Sequence, residues 1–242
     1  MPSPRFAGRG SRKPRRLSRP MDYKFDWGPI WENRGLIADG LVTTIALSLA
    51  ALALAAAIGV LVGTAGAARG RPLRIAAAFY VETTRNIPLI IHMYIWYMAL
   101  AFLKLPAFAC AVFGLSLYSA AYVAEIVRAG IGSVPAGQLQ AALATGLTGF
   151  AALRFVIYPQ ALRIVAPSLA SLMSQLIKDS SLASVIAVAD LTYAADAIEG
   201  QTFRTFEVYI TISLLYFLLV TAVSRLMMLF GGGESAHGLA DA

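Results

Sequence analysis

From residue 40 to residue 68 the chain carries no charged side chain. A helix needs about 20 apolar residues to cross a hydrocarbon core of about 30 Å. Lipid offers the backbone no hydrogen-bond partners, so a run this long takes the helical form, in which the chain satisfies its own polar groups. Further apolar runs follow, and the sequence predicts spans at 37–68, 87–103, 107–124, 164–188 and 208–230. The expected fold class is therefore an all-α integral membrane protein with five transmembrane helices. With 58% hydrophobic and only 14% charged residues in 242, there is more apolar surface than one soluble core of this length hides.

The formal charge of +7 suggests nucleic acid or anionic lipid as a partner, but its placement removes the nucleic-acid reading. Arg5, Arg9, Arg12, Lys13, Arg15, Arg16 and Arg19 lie in a basic leader, residues 1–20, that contains no acid. Without those seven bases, 13 bases face 13 acids over the rest of the chain. The leader lacks the apolar stretch of a secretory signal, and Met21 opens a segment with interfacial aromatics, Tyr23, Phe25 and Trp27. Translation is expected to begin at Met21, with a permease domain over residues 21–230 and a C-terminal tail over 231–242. The single cysteine, Cys110, excludes an intrachain disulfide, and His92 and His237 are too far apart in sequence to suggest a metal site. His92 reads as a hydrogen-bonded helix histidine. No catalytic constellation, metal site or cofactor is expected.

Loop charges orient the spans. Arg69, Arg71, Arg74 and Arg85 follow the first span, Arg128, Arg154 and Arg163 lie between the third and fourth, and Arg225 closes the fifth, which places these segments in the cytoplasm. The opposite loops carry Lys104 on one side and Asp190, Asp196, Arg204, Glu199 and Glu207 on the other. Asp190, Asp196 and Glu199 are expected to be solvated acids on the outer face, available to a docking protein.

The segment 130–159 is too long for a tight turn and too rich in Ala and Leu for a structureless loop. After Val134-Pro135-Ala136-Gly137-Gln138, residues 139–145 predict two helical turns with Gly146 as their C-cap. A second piece over 150–158 is expected to end before Pro159, because the residue preceding a proline disfavours the α region. Three charged sets lie in or beside the spans. Glu82 with Arg85, and Glu125 with Arg128, are spaced i,i+3 and read either as interface pairs or as the inner mouth of a solute pathway. Lys178 and Asp179 read either as a helix interruption, in which Asp179, Ser180 or Ser181 caps the next segment, or as part of a gate or substrate contact.

The elbow carries the most specific signal. Gln140-Ala141-Ala142, Gly146 four residues later and Tyr158-Pro159 resemble the "EAA" loop of ABC-importer permeases, with Gln140 in place of the usual glutamate and Tyr158 in place of the usual leucine. The flanks narrow the resemblance to the polar amino-acid uptake subfamily of the histidine, glutamine and glutamate-aspartate type. They are Asp39-Gly40-Leu41-Val42-Thr43-Thr44, Arg85-Asn86-Ile87-Pro88-Leu89, Ala124-Glu125-Ile126-Val127-Arg128-Ala129-Gly130, Tyr158-Pro159-Gln160-Ala161-Leu162-Arg163 and Lys178-Asp179-Ser180-Ser181-Leu182. Tyr94-Ile95-Trp96-Tyr97, after Arg85 to Leu89, is most similar to glutamate/aspartate-type members. The resemblance implies the permease fold of type I ABC importers in the bacterial inner membrane. It also implies a second permease subunit, identical or homologous, a cytoplasmic ABC ATPase dimer and an extracytoplasmic amino-acid-binding protein as partners. Gln140, Ala141, Ala142, Gly146 and Pro159 would couple the chain to the ATPase, and alternating access would move the substrate.

No Gly-x-x-x-x-Gly-Lys-Ser/Thr phosphate loop occurs, so ATP hydrolysis by that route would fall to a separate chain. An ATP-independent secondary transporter or channel is the competing reading. Such proteins often show paired repeats around broken helices, and five unequal spans offer no such duplication. A membrane enzyme would need clustered reactive side chains at membrane depth, which the sparse ionisable residues do not provide.

Overall fold

The computed structural model describes residues 23–68 and 70–230. The leader, the proposed start at Met21, Arg69, His237 and the tail lie outside the described residues. The described chain is helical. It comprises α1 (Gly28–Glu32), α2 (Arg34–Ala67), α3 (Arg71–Arg85), α4 (Leu89–Ala101), α5 (Ala107–Ser133), α6 (Ala136–Ala144), α7 (Gly149–Ala152), α8 (Tyr158–Asp179), α9 (Leu191–Thr202) and α10 (Thr205–Phe230).

Each of the five predicted spans contains a helix. Those containing α2, α5, α8 and α10 are long and apolar enough to cross a membrane. The second differs in form. Helix α4 has 13 residues, about 20 Å at 1.5 Å per residue, and α3 precedes it across a break at Asn86-Ile87-Pro88. Helix α3 was not expected, because its charges read as a loop. Pro72 near its first turn and Arg85 in its last are ordinary helix-end chemistry. At the break Pro88 has no N–H to offer the Thr84 carbonyl four residues back. The buried His92 ring occupies that carbonyl instead, with Nε2 3.2 Å from Thr84 O, which is the structural role read for His92 from the sequence.

A seam of small residues builds the core. In α2 the buried positions Ile37, Gly40, Thr44, Leu47, Ala51, Ala55, Gly59 and Gly63 recur every three or four residues and form one stripe. The lower half of that stripe meets Ala120, Val123, Ala124 and Val127 of α5. A Cβ on Gly59 would stand 2.9 Å from the Ala120 carbonyl oxygen, and one on Gly63 would stand 2.5 Å from that of Ala124. In lipid, apolar burial gives helices little reason to associate, so close backbone approach through small residues supplies the attraction as dispersion. Gly130 serves the same purpose between α5 and α8, where an added Cβ would lie 2.5 Å from Val165 Cγ1.

Three boundaries depart from expectation. Helix α5 continues to Ser133, beyond the predicted end at 124, because Glu125 and Arg128 remain helical on its rim. The elbow's second piece does not end before Pro159. A π turn over Leu153–Ile157 leads directly into α8, with Pro159 in its first turn. A wider turn moves the Phe155 carbonyl away from the proline ring it would meet in an α-helix, so the chain passes without a break. At the other end, α8 gives way after Asp179 to a 3-10 helix over Ser180–Ile186; Asp179 makes no side-chain capping bond to it, and Ser180 and Ser181, the other caps expected, lie inside it, with the Ser180 hydroxyl donating back to the Ile177 carbonyl.

Asp190 also corrects an expectation. Its carboxylate is fully buried, not solvated, and caps α9 by accepting from the Tyr193 N–H at 2.8 Å. Burial pushes the carboxyl up to about 6. Beside it the Leu191 N–H donates to Thr44 Oγ1 at 3.0 Å, and Gly40 lets the Asp190 backbone lie against α2. Asp196 accepts from the Tyr209 hydroxyl at 2.7 Å and Glu199 from Thr205 at 2.9 Å. The start of α10 is strapped to the N-terminal segment. Buried Glu207 accepts from the Tyr23 hydroxyl and, at 2.8 Å, from the Asp26 N–H, while Arg204 Nη1 donates to the Lys24 carbonyl at 2.9 Å.

Candidate functional site

The elbow opens with a short helix, α6, bounded by its own terminal chemistry. Pro135 precedes α6, whose alanine-rich sequence favours helix. At its far end the Gly146 N–H donates to the Leu143 carbonyl at 3.0 Å and the Leu147 N–H to the Ala142 carbonyl at 3.2 Å. This is the paired closure of a Schellman end, and Gly146 occupies its left-handed position at φ 88°. An L side chain there would be strained by about 1–2 kcal/mol. The expected C-cap role of Gly146 is therefore its position in the structure.

Burial divides the motif. Ala142 is buried, and Leu139 of the same helix packs with Val156 on a small local core of Val134, Ile157 and Ala161. Gln140, Ala141, Leu143 and Ala144 remain exposed. The outcome is a slim knob whose outer face carries the small side chains of Ala141 and Ala144 beside the longer ones of Gln140 and Leu143. Thr148 caps the next turn by accepting from the Ala151 N–H at 3.2 Å, and Gln160 donates to the Val156 carbonyl at 2.9 Å.

The Glu125–Arg128 pair expected from the i,i+3 spacing is present, but Arg85 pairs elsewhere than expected. Arg85 forms its close ion pair across helices with Glu125 of α5, and Arg128 stands 3.8 Å from the other oxygen of the same carboxylate. The Arg85 guanidinium also lies over the Tyr122 ring at 5.1 Å, and Tyr122 shares a 3.0 Å hydrogen bond with Tyr118. Among the described residues Glu82 forms no ion pair, which corrects the expected Glu82–Arg85 pair. It lines, with Gly66, Arg74, Arg85, Glu125 and Arg128, a cleft of about 220 Å³ between α2, α3 and α5. Three guanidiniums and two carboxylates on so small a cleft present both signs of charge at once.

Lys178 and Asp179 are not part of this group. They lie where α8 ends, with Lys178 exposed and Asp179 half-buried and accepting from Gln175 Nε2 at 2.7 Å. No ion pair or hydrogen bond joins them to Arg85 or Glu125 among the described residues. The sequence reading missed the small-residue seam and the Tyr118–Tyr122–Arg85 stack. The first had a usable signal in Ala51, Ala55, Gly59 and Gly63 at four-residue spacing.

The sequence matches the family of binding-protein-dependent transport system inner membrane components over residues 55–232, which includes the elbow, α5 and α8. The chain belongs to this family. A probable glutamine ABC transporter permease protein of Bacillus subtilis, GlnM, is 37% identical over 197 residues, which cover 81% of this chain and 91% of that one. The glutamate/aspartate import permease protein GltJ of Escherichia coli is 34% identical over 210 residues, covering 81% and 85%. Among solved structures, an amino acid ABC transporter crystallised with histidines superposes with a TM-score of 0.77 at 35% identity, covering 86% of this chain and 99% of that chain. The architecture is accordingly that of a type I importer permease, and the chain is a membrane-embedded translocation component.

Proposed function

We propose that this permease carries polar amino acids of the glutamine or glutamate/aspartate class across the bacterial inner membrane, driven by ATP hydrolysed in partner chains. The observation that carries the reading is the rigidly capped, small-faced knob of α6, on a chain whose relatives of similar length are named as glutamine and glutamate/aspartate permeases. Two such permeases, identical or homologous, would present two knobs to a cytoplasmic ATPase dimer. ATP-driven closure of that dimer would draw the knobs together and turn the bundle from inward-open to outward-open. A binding protein on the outer side would then deliver the amino acid.

The direct test is reconstitution of the complex in vesicles and measurement of binding-protein-dependent uptake of labelled glutamine, glutamate and aspartate. Uptake that requires ATP supports the importer. Uptake that proceeds without ATP or the binding protein assigns the chain to secondary transport or channel function.

Within that cycle the cleft of Arg74, Glu82, Arg85, Glu125 and Arg128 would meet a zwitterion at the inner mouth, where a guanidinium suits a carboxylate and a carboxylate an ammonium. Lys178 and Asp179 would act at a separate level, as a gate or substrate contact. Glu125→Gln separates the cleft's role from packing. The Arg85–Glu125 pair is more than a third exposed on both sides, so its loss is expected to cost less than about 1 kcal/mol of stability. Uptake is expected to fall severalfold all the same. A variant that transports at the native rate with a slightly lower unfolding temperature would leave the pair as a packing contact.

A further inference from the structure

We propose that the cleft between the inner ends of α2, α5 and α8 binds an anionic phospholipid of the cytoplasmic leaflet, with its headgroup at Arg154 and an acyl chain along Val60, Val127, Leu162 and Val165. The cleft holds about 510 Å³, and among the described residues Arg154 is its one charged lining residue. That guanidinium has no carboxylate or hydrogen-bond acceptor among the described residues and lies 5.7 Å from the centre of the Phe155 ring. Cations on segments at the cytoplasmic face meet the anionic lipid of that leaflet, and basic pockets between spans on this side suit phosphate headgroups.

The rest of the lining supplies the other half of a lipid. From Tyr158 to Val165 α8 climbs about 10 Å at 1.5 Å per residue, from just beyond Arg154 at the foot of the cleft to a wall of valine and leucine side chains. Phe155 lines the foot and stands exposed there, the level at which aromatic rings settle at a membrane interface. Tyr158 hydrogen-bonds Thr64 across the cleft, tying α8 to α2. A protein occupant would have to desolvate the Arg154 guanidinium and provide its own anion, whereas a lipid phosphate brings one and leaves the headgroup wet.

The proposal rests on the membrane orientation of the importer reading, with the elbow inside. It is tested on the purified permease–ATPase complex, delipidated in detergent and offered phosphatidylglycerol or phosphatidylcholine of identical acyl chains, with bound lipid counted by native mass spectrometry. The native complex is expected to retain phosphatidylglycerol about fivefold more strongly, the equivalent of ~1 kcal/mol for one cation at an anionic surface. Arg154→Gln is expected to abolish the preference, and Leu162→Trp, at a half-exposed lining position, to lower retention of both lipids. Equal retention by the native complex, or a preference that survives Arg154→Gln, overturns the site.

Crosslinking tests the protein occupants. Cys110 is buried, so Leu162→Cys introduces the reactive thiol, and efficient crosslinking between two copies would assign the cleft to the permease interface and overturn the lipid. Loss of the ATPase from Arg154→Gln with lipid retention unchanged would assign Arg154 to that partner, with the same consequence. ATP-driven uptake by the same preparations reports on the importer independently, because lipid retention is counted without transport.

Discussion

Gly63→Ala is expected to destabilise the bundle by the upper part of the roughly 1–3 kcal/mol range for overpacked cores, and Gly63→Leu to prevent recovery of a monodisperse permease. The added Cβ of the alanine variant meets the backbone oxygen of Ala124 at 2.5 Å and Val127 Cβ at 2.9 Å. A carbonyl oxygen cannot rotate out of the way as a side chain can, so α2 and α5 must move apart and give up dispersion along the whole seam. Gly35→Ala in the same helix is the control. Nothing lies within 4 Å of a Cβ there, and exchanging glycine for alanine in a helix is neutral or favourable by up to about 1 kcal/mol. Thermal unfolding of the detergent-solubilised variants measures both. Similar unfolding temperatures for the two would mean that close approach at Gly63 does not hold the bundle together.

Ala141→Arg is expected to lower ATP-driven uptake at least about tenfold, the equivalent of 1.4 kcal/mol of lost docking, while leaving the unfolding temperature almost unchanged. Ala141 lies on the exposed face of α6, so its substitution does not disturb buried Ala142 or the local core on which Leu139 packs. On the proposed docking, a long charged side chain would stand where α6 now offers its partner only a methyl group. Co-purification of the ATPase with the variant, together with uptake in vesicles, separates failed docking from failed folding. Native uptake with arginine at 141 would remove α6 from the coupling path. Gln140→Glu, which restores the residue usual in the resembled loop, is the companion variant and is expected to retain uptake, because Gln140 forms no hydrogen bond among the described residues that the change would break.

Parts of the site were legible because their causes are local. The end of α6 at Gly146 follows from the one residue type that enters the left-handed region without penalty, and Pro135 marks where the helix begins. Pro159 misled for an instructive reason. Its local preference argues for a break, but a π turn widened the preceding segment and let the helix run on. The Glu82–Arg85 pair failed differently. Two residues spaced i,i+3 are able to meet, yet Arg85 turns toward α5, where Glu125 and the Tyr122 ring offer it more than Glu82 does.

The sequence by itself determined that the chain lives in a membrane, roughly where it crosses and where the elbow lies, since apolar run length and the placement of glycine and proline act within a few residues. Tertiary structure alone decided which face of each helix is used. It selected Gly59 and Gly63 as the places where α2 touches α5, and it buried Asp190 in place of solvating it. It also set the Leu191 N–H against Thr44, a partner 147 residues away. A helix carries many small residues and many charges around its circumference. Only the rotation and tilt at which neighbouring helices pack fix which of them meet, and no stretch of sequence contains that angle.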